Sequence, residues 1–299
     1  MMFVDDLNVI SDMNILNSLT EAIHVLKSSG CATPRLDAEV LLSACLKMDR
    51  TRFHIDREQS LTENDYQEFR RCIERRKRGE PVAYIVGRKE FWSLLFEVNR
   101  HVLIPRPETE ILVEEVLKVC SSPKTENLRI LEIGTGSGAI SIALAHELQN
   151  AQIIATDISR DAINVALRNA QINNVANQIS FLLGNLFETV SGKFDIIVSN
   201  PPYISKEEYN CLPSGVRDFE PELALLAGAD GTVFHRKIIK AGGVCLKPGG
   251  WVFLEIGAGQ KKMVENMLNE SNLYDNIAFR NDYAAIERVA IARRVTTGG

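Results

Sequence analysis

Beyond Arg129 the chain alternates short apolar runs with longer amphipathic stretches, and no other feature limits the available folds as much. The runs fall at 130–133, 153–156, 179–183, 196–199 and 251–256. Strands joined through helices pair in parallel, and parallel strands covered on both faces read as unbroken apolar runs. A mostly parallel sheet with helices on both faces is therefore expected, an α/β domain of the doubly wound, Rossmann-like kind. The last two runs, 277–280 and 288–292, have no helix between them and are expected to end the sheet as an antiparallel hairpin.

The N-terminal part reads differently. Ile15, Leu16, Leu19, Ile23 and Leu26 recur at helical spacing before Ser28-Ser29-Gly30 stops the pattern. Pro34 opens a second helix, expected to turn Leu36, Val40, Leu41 and Leu42 inward and to end near Lys47. A third follows the cap signal Thr62-Glu63-Asn64-Asp65 and runs to about Arg78, where Gly79 and Pro81 end it. This divides the chain into a helical bundle over 1–80, a β-hairpin linker over 81–104 with Gly87-Arg88-Lys89 in its middle, and the sheet domain over 105–299.

With 299 residues, 45% hydrophobic and 24% charged, the chain has apolar material for both domains, so disorder is not expected. A formal charge of -5 speaks against a grip on bare nucleic acid, which needs clustered Lys and Arg. Arg70, Arg71, Arg75, Arg76, Lys77 and Arg78 form one basic run, open to reading as a solvated helix face or as a local basic patch. The six cysteines include no CxxC pair, so no metal site is expected and the thiols are expected to be reduced and mostly buried. The opening Val4-Asp5-Asp6 lacks a leader's basic stretch and no apolar window reaches the length of a span, so a cytoplasmic protein with no membrane contact is expected.

Two loops carry chemistry. Leu131-Glu132-Ile133-Gly134-Thr135-Gly136-Ser137-Gly138 follows a strand and opens a helix, where glycines let the backbone turn tightly and approach a ligand. The spacing is G-x-G-x-G with an acid before it, which fits S-adenosylmethionine better than the G-x-G-x-x-G of dinucleotide sites. Asp157, about twenty residues on, ends the next strand, where a carboxylate can accept both hydroxyls of a ribose or else cap the following helix. Asn185 and Leu186 follow the third run, placed to meet an adenine or to make an ordinary turn.

Asn200-Pro201-Pro202-Tyr203 follows the fourth apolar run and so lies at the same edge of the sheet. An amide nitrogen is a poor nucleophile because its lone pair is delocalised into the carbonyl. The Asn200 side-chain oxygen and the Pro201 carbonyl can hold two N–H groups and aim that lone pair at an electrophile, while Tyr203 lies against the flat group. The prolines fix the carbonyl. This arrangement points to methyl transfer to an exocyclic or amide nitrogen without a metal, and leaves glutamine, adenine and cytosine open.

The segment Ile104-Pro105-Arg106-Pro107-Glu108-Thr109-Glu110 resembles the signature of the release-factor glutamine methyltransferases, the PrmC or HemK family of class I S-adenosylmethionine-dependent enzymes. Arg35-Leu36-Asp37-Ala38-Glu39, Pro81-Val82-Ala83-Tyr84-Ile85 with Glu90-Phe91-Trp92, and Phe219-Glu220-Pro221 with Ala224-Leu225 extend the resemblance over nearly the whole chain. It implies N5 methylation of the glutamine in the Gly-Gly-Gln motif of peptide-chain release factors, with the helical domain docking that partner. By position it implies that residues 134–138, Asp157, Leu186 and Asn200 hold the cofactor, that 200–203 receive the glutamine, and that Arg106 and Glu110 shape the mouth of the site. Where the family usually carries Asp, this chain has Asn185, which keeps an acceptor but loses a charge.

Other readings remain open at this point. A nucleic-acid amino-methyltransferase would use the same Asn-Pro-Pro-Tyr arrangement but should carry a basic groove. A ribosomal-protein glutamine methyltransferase is a close relative, against which the Pro-Arg-Pro-Glu-Thr-Glu run weighs. A scaffold without catalysis would have no need of the glycine turn or Asn200.

Overall fold

The computed structural model of the protein describes residues 13–121 and 127–296, so Val4-Asp5-Asp6 lies outside the described residues. The chain divides into two compact units, Met1–Gly87 with Ser214–Phe219, and Arg88–Pro213 with Glu220–Gly299.

The first unit is helical. Helix Ile15–Ser28 starts where the Asn14 side chain accepts from the Asn17 amide, and helix Glu63–Lys77 where the Thr62 hydroxyl accepts from Asp65. Between them runs Pro34–Leu46, with proline in its first turn. Ile15, Leu26, Leu41, Leu42 and Phe69 meet in the core. Leu36 was expected there but is 48% exposed. The inward face carries Asp37, Ala38, Leu41 and Leu42, and one residue of helix, about 100° of rotation, turns Leu36 away from it.

Asp37 belongs to that inward face because its charge is met on all sides. Arg76 Nε lies 2.6 Å away, and the Thr33 hydroxyl and Cys31 thiol donate to the same carboxylate. Arg75 pairs with Glu80 at 2.6 Å, so two members of the basic run are internal ties. Of the cysteines expected to be mostly buried, only Cys120 is fully so, Cys211 is exposed and the other four are half-buried. The returning residues pack closely here: a Cβ on Gly215 would fall 2.9 Å from the Gly79 carbonyl oxygen.

The hairpin is shorter than the expected 81–104 linker. Val82–Val86 is a helical turn ended by Gly87 at φ 76°, so this glycine closes a helix rather than a hairpin. β1 (Arg88–Phe91) pairs antiparallel with β2 (Leu94–Glu97), and the reversal falls at Trp92 and Ser93, with φ of 53° and 56°. A two-residue turn with positive φ at both positions usually selects Asn and Gly. Here side chains hold the turn instead: the Trp92 amide donates to Glu110 Oε1 at 2.8 Å, and its indole N–H to Glu147 Oε1 at 2.9 Å.

The remaining strands are β3 (Arg129–Ile133), β4 (Gln152–Asp157), β5 (Ile179–Leu183), β6 (Phe194–Ser199), β7 (Leu246–Glu255), β8 (Tyr274–Asn281) and β9 (Glu287–Arg294). They form one seven-stranded sheet in the order β5-β4-β3-β6-β7-β9-β8. β3 to β7 pair in parallel, and β9 is antiparallel to both β7 and β8. The chain enters at the middle of the sheet, winds outward to β5, then returns to β6 on the other side of β3. The carboxyl ends of β3 and β6 thus flank the point where winding reverses, the place in such sheets where a crevice opens.

Asn169, fully buried, ties the hairpin to this sheet. Its oxygen accepts from the Glu97 amide at 2.7 Å, and its nitrogen donates to the carbonyls of Glu97 and Ser137 at 3.0 and 2.8 Å. The hairpin and the glycine turn therefore share one buried amide.

Replacing Asp37 with Ala removes the charged partner of the partly buried Arg76 guanidinium and leaves it the Gly79 and Glu80 carbonyls and the Cys31 thiol, and losing one partner of a buried pair costs about 3 kcal/mol. Urea unfolding of the full chain should register a loss of that order, whereas a change below about 1 kcal/mol would mean the pair is as dispensable as a surface one.

Candidate active site

One pocket of about 210 Å³ lies at the carboxyl edge of the sheet, and residues from both loops line it. From the β3 side come Glu132, Gly134, Thr135, Gly136 and Ser137; from β4, Asp157 and Ile158; from β5, Asn185 and Leu186; from β6, Asn200, Pro201 and Pro202; and Arg106 joins them.

The three glycines of the turn have different reasons to be glycine. All take positive φ, at 75°, 54° and 83° for Gly134, Gly136 and Gly138. A Cβ on Gly134 or Gly136 would meet no atom within 4 Å, so their backbone is bare toward the pocket. A Cβ on Gly138 would fall 2.8 Å from Ile142 and 3.2 Å from Ala166, so this glycine lets two helices approach. Gly138 is not among the lining residues.

Asp157 is not the helix cap, because the Ser159 hydroxyl fills that place by accepting from Ala162. Its two oxygens accept from the Gly136 amide at 2.8 Å and the Ser159 amide at 2.9 Å. A carboxylate has about four acceptor positions, so two backbone bonds leave capacity for a pair of ligand hydroxyls. Burial raises its pKa and those amides oppose the rise. Ile158 beside it is 57% exposed yet lines the pocket, an apolar wall that the sequence reading did not single out. Leu186 is held at φ 52°, and Asn185 Nδ2 donates to Glu188 at 3.2 Å, which leaves its Oδ1 as acceptor.

On the β6 side, the Ser199 hydroxyl donates to the Ile133 carbonyl at 2.6 Å and ties the two loops where they diverge. Asn200 Nδ2 donates to the Thr109 hydroxyl at 3.1 Å. Thr109 in turn donates to Glu255 Oε2 at 2.7 Å, and Tyr203 donates to Glu255 Oε1 at 3.2 Å. Neither Thr109's partner nor Tyr203's was visible in the sequence. Thr109 lines the pocket, whereas Tyr203 does not: it lies against Gly257, and its carbonyl accepts from Gln260.

The two residues assigned to the mouth separate. Arg106 lines the pocket and pairs with buried Glu220, which also accepts from the Ile104 amide. Glu110 does not line it and holds the Trp92 amide instead. Past Tyr203, Ile204 exchanges backbone bonds with Leu225 and Ala227, and this brings Pro221, Leu223 and Ala224 to the wall. Among the described residues no group of three or more His, Cys, Asp or Glu is placed to hold a metal ion, and no helix is long and apolar enough to cross a membrane.

The open parallel sheet with its antiparallel end, the bare glycine turn and the acid ending β4 define a class I methyltransferase fold. A solved methyltransferase from Pyrococcus furiosus has the same fold, with a TM-score of 0.51 and 22% identity, covering 69% of this chain and 92% of that one. Family models for the PrmC N-terminal domain and the methyltransferase small domain match residues 17–87 and 108–212. The release factor glutamine methyltransferase of Clostridium acetobutylicum is 38% identical over 285 residues, 94% of this chain and 99% of its own length. That of Buchnera aphidicola is 41% identical over 283 residues, 94% of this chain and all of its own. The chain belongs to the release factor glutamine methyltransferase family.

Glu132, 1% exposed beneath the glycine turn, accepts from the Thr135 hydroxyl and the Ser141 amide. Burial nonetheless pushes its carboxyl from 4.5 up to about 7. The unfolded chain releases this proton near the lower value and the folded chain near the higher. Between them the folded state binds more protons, so the group's stabilising contribution is complete below the lower value and lost as pH rises through the upper one. The loss is on the order of 3 kcal/mol. Glu132→Gln cannot titrate, so its urea midpoint should decline less than wild type's between about pH 5 and about pH 7.5. Parallel declines would contradict the assignment.

Proposed function

We propose that this protein methylates the side-chain amide nitrogen, N5, of the glutamine in the Gly-Gly-Gln motif of peptide-chain release factors, using S-adenosylmethionine. The observation that carries this reading is a single pocket lined both by the glycine turn with Asp157 and by Asn200, Pro201 and Pro202.

The lining residues fit the cofactor's chemistry. The bare backbone of Gly134 and Gly136 accommodates a closely held chain, the spare acceptor capacity of Asp157 suits two ribose hydroxyls, and Ile158, Leu186 and the Asn185 oxygen suit an adenine edge and face. When bound, S-adenosylmethionine supplies a methyl group on a positively charged sulfur. The chain's task is to aim a nitrogen lone pair at that carbon. Asn200 Oδ1 and the Pro201 carbonyl accept the two N–H bonds of the substrate amide, and the adjacent prolines keep that pair of acceptors rigid. As the new N–C bond forms the C–S bond breaks, and the nitrogen gives its extra proton to water.

The family's named activity supports a release factor as substrate, and the formal charge of -5 suits a protein target better than a nucleic acid. In this reading the helical unit docks the release factor, Arg106 and Glu220 shape the entrance, and the work is done in the cytoplasm.

Labelled cofactor, incubated with purified release factor, ribosomal protein and DNA in parallel, should deliver label to a glutamine side chain of the release factor, mapped by mass spectrometry. Label on adenine or on the ribosomal protein would replace this reading with the corresponding alternative. Asn200→Ala should fold normally and turn over about two orders of magnitude more slowly, as loss of a positioning group does. Asp157→Ala should weaken cofactor binding in calorimetry by at least about tenfold, the loss of one charge-assisted contact; unchanged affinity would remove the ribose assignment.

A further inference from the structure

Thr109 and Glu255 stand behind the acceptor site and are almost fully buried, at 4% and 1% exposure. The Thr109 hydroxyl oxygen is 2.7 Å from Glu255 Oε2 and 3.1 Å from Asn200 Nδ2. A hydroxyl has one proton, and an ionised carboxylate can only accept. The Thr109 proton therefore goes to Glu255, and Thr109 can only accept from Asn200. That forces the NH2 end of the Asn200 amide toward Thr109 and its oxygen the other way.

The two ends of a carboxamide are nearly the same shape, so the surrounding hydrogen bonds decide which way it faces. A flipped Asn200 would present N–H donors to a substrate group that itself offers N–H donors. We propose that Thr109 and Glu255 are positioning residues that fix the Asn200 amide with its oxygen toward the methyl acceptor, an inference that rests on the role given to Asn200 above. The second Glu255 oxygen accepts from Tyr203, so one buried acid holds both ends of the Asn-Pro-Pro-Tyr segment.

The relay has a direction only while Glu255 is ionised. Burial pushes its carboxyl up to about 7, Glu108 adds to the rise, and Thr109, Arg288 and Tyr203 oppose it. His235, whose ring Nε2 meets the Glu255 carbonyl at 2.8 Å, is kept neutral by burial and adds no charge. Once Glu255 carries a proton it becomes a donor as well; a proton on Oε2 is donated to the Thr109 hydroxyl, which can then turn its own proton toward Asn200 and let that amide flip. Turnover should therefore fall as pH drops through this range.

The test compares wild type with Thr109→Val, Thr109→Ser and Glu255→Gln in two measurements. With the acceptor labelled in the substrate panel, Thr109→Val should lower kcat at least about tenfold while cofactor affinity by calorimetry stays within about twofold. Thr109→Ser should restore most of the rate, and Glu255→Gln should be slow with its acid limb abolished. The second measurement needs no substrate. In cofactor-saturated protein with nitrogen-labelled asparagine, the Asn200 side-chain NH2, assigned by its loss in Asn200→Ala, should exchange slowly with solvent in wild type and Thr109→Ser. It should exchange at least about tenfold faster in Thr109→Val. Equal exchange in wild type and Thr109→Val overturns the proposal whatever the acceptor proves to be, as does a wild-type kcat in Thr109→Val. Slow exchange in a protein that labels no glutamine would retain the relay and remove the functional reading instead. If Glu255→Gln fails to fold, the two Thr109 variants decide the matter.

Discussion

Parallel pairing of β3 with β6 is the contact from which the site follows. Leu131 lies opposite Ile197 and Glu132 opposite Val198, so the two strands end level with each other. Where they separate, the Ser199 hydroxyl still holds the Ile133 carbonyl at 2.6 Å. One residue further on each side the chain has become Gly134 or Asn200. Two loops some sixty residues apart in sequence are thus brought together by sheet register rather than by any property of the loops themselves. A slip of one residue between these strands would turn every side chain of one strand to the opposite face and carry the Asn-Pro-Pro-Tyr loop out of line with the glycine turn.

The acids near this edge are handled in an unusual way. Glu132, Asp157 and Glu255 sit at the carboxyl ends of β3, β4 and β7, and burial raises the pKa of each. Hydroxyls and backbone amides satisfy Glu132 and Asp157, and among the described residues no arginine or lysine pairs with either. Those two line the pocket, and an environment of imperfectly compensated carboxyls favours a cation over an anion. Glu255 lies behind the wall and acts through Thr109 and Tyr203 instead. A positively charged sulfur is the kind of ligand such surroundings suit.

What could be read in the sequence, and what could not, divides along the range of the forces involved. The five parallel strands of the main sheet were legible because parallel strands covered on both faces must be apolar throughout, and the terminal hairpin because nothing helical separates its two strands. The glycine turn was legible because its backbone takes positive φ at three positions, which selects glycine. Leu36 misled because a leucine near an apolar helix face looks inward-facing, whereas the buried position belongs to Asp37, whose partner Arg76 is 39 residues away. Gly87 drew the hairpin turn toward itself, while the actual turn uses Trp92 and Ser93 with support from Glu110 and Glu147. The link from Thr109 to Glu255 spans 146 residues, and that from Glu97 to Asn169 spans 72. No local pattern announces pairs of that kind.

The make-up of the helical unit has a consequence for anyone cutting the chain. The family model for this part ends at residue 87, which suggests a module separable by one scission. Yet Ser214–Phe219 belongs to it too, with the Gly215 Cα set so near the Gly79 carbonyl that no side chain fits between them. A fragment stopped at Gly87 would leave bare the surface on Gly79 that Ser214 and Phe219 cover. The unit is assembled from two excursions of the polypeptide, and the second leaves from the segment that follows Asn-Pro-Pro-Tyr.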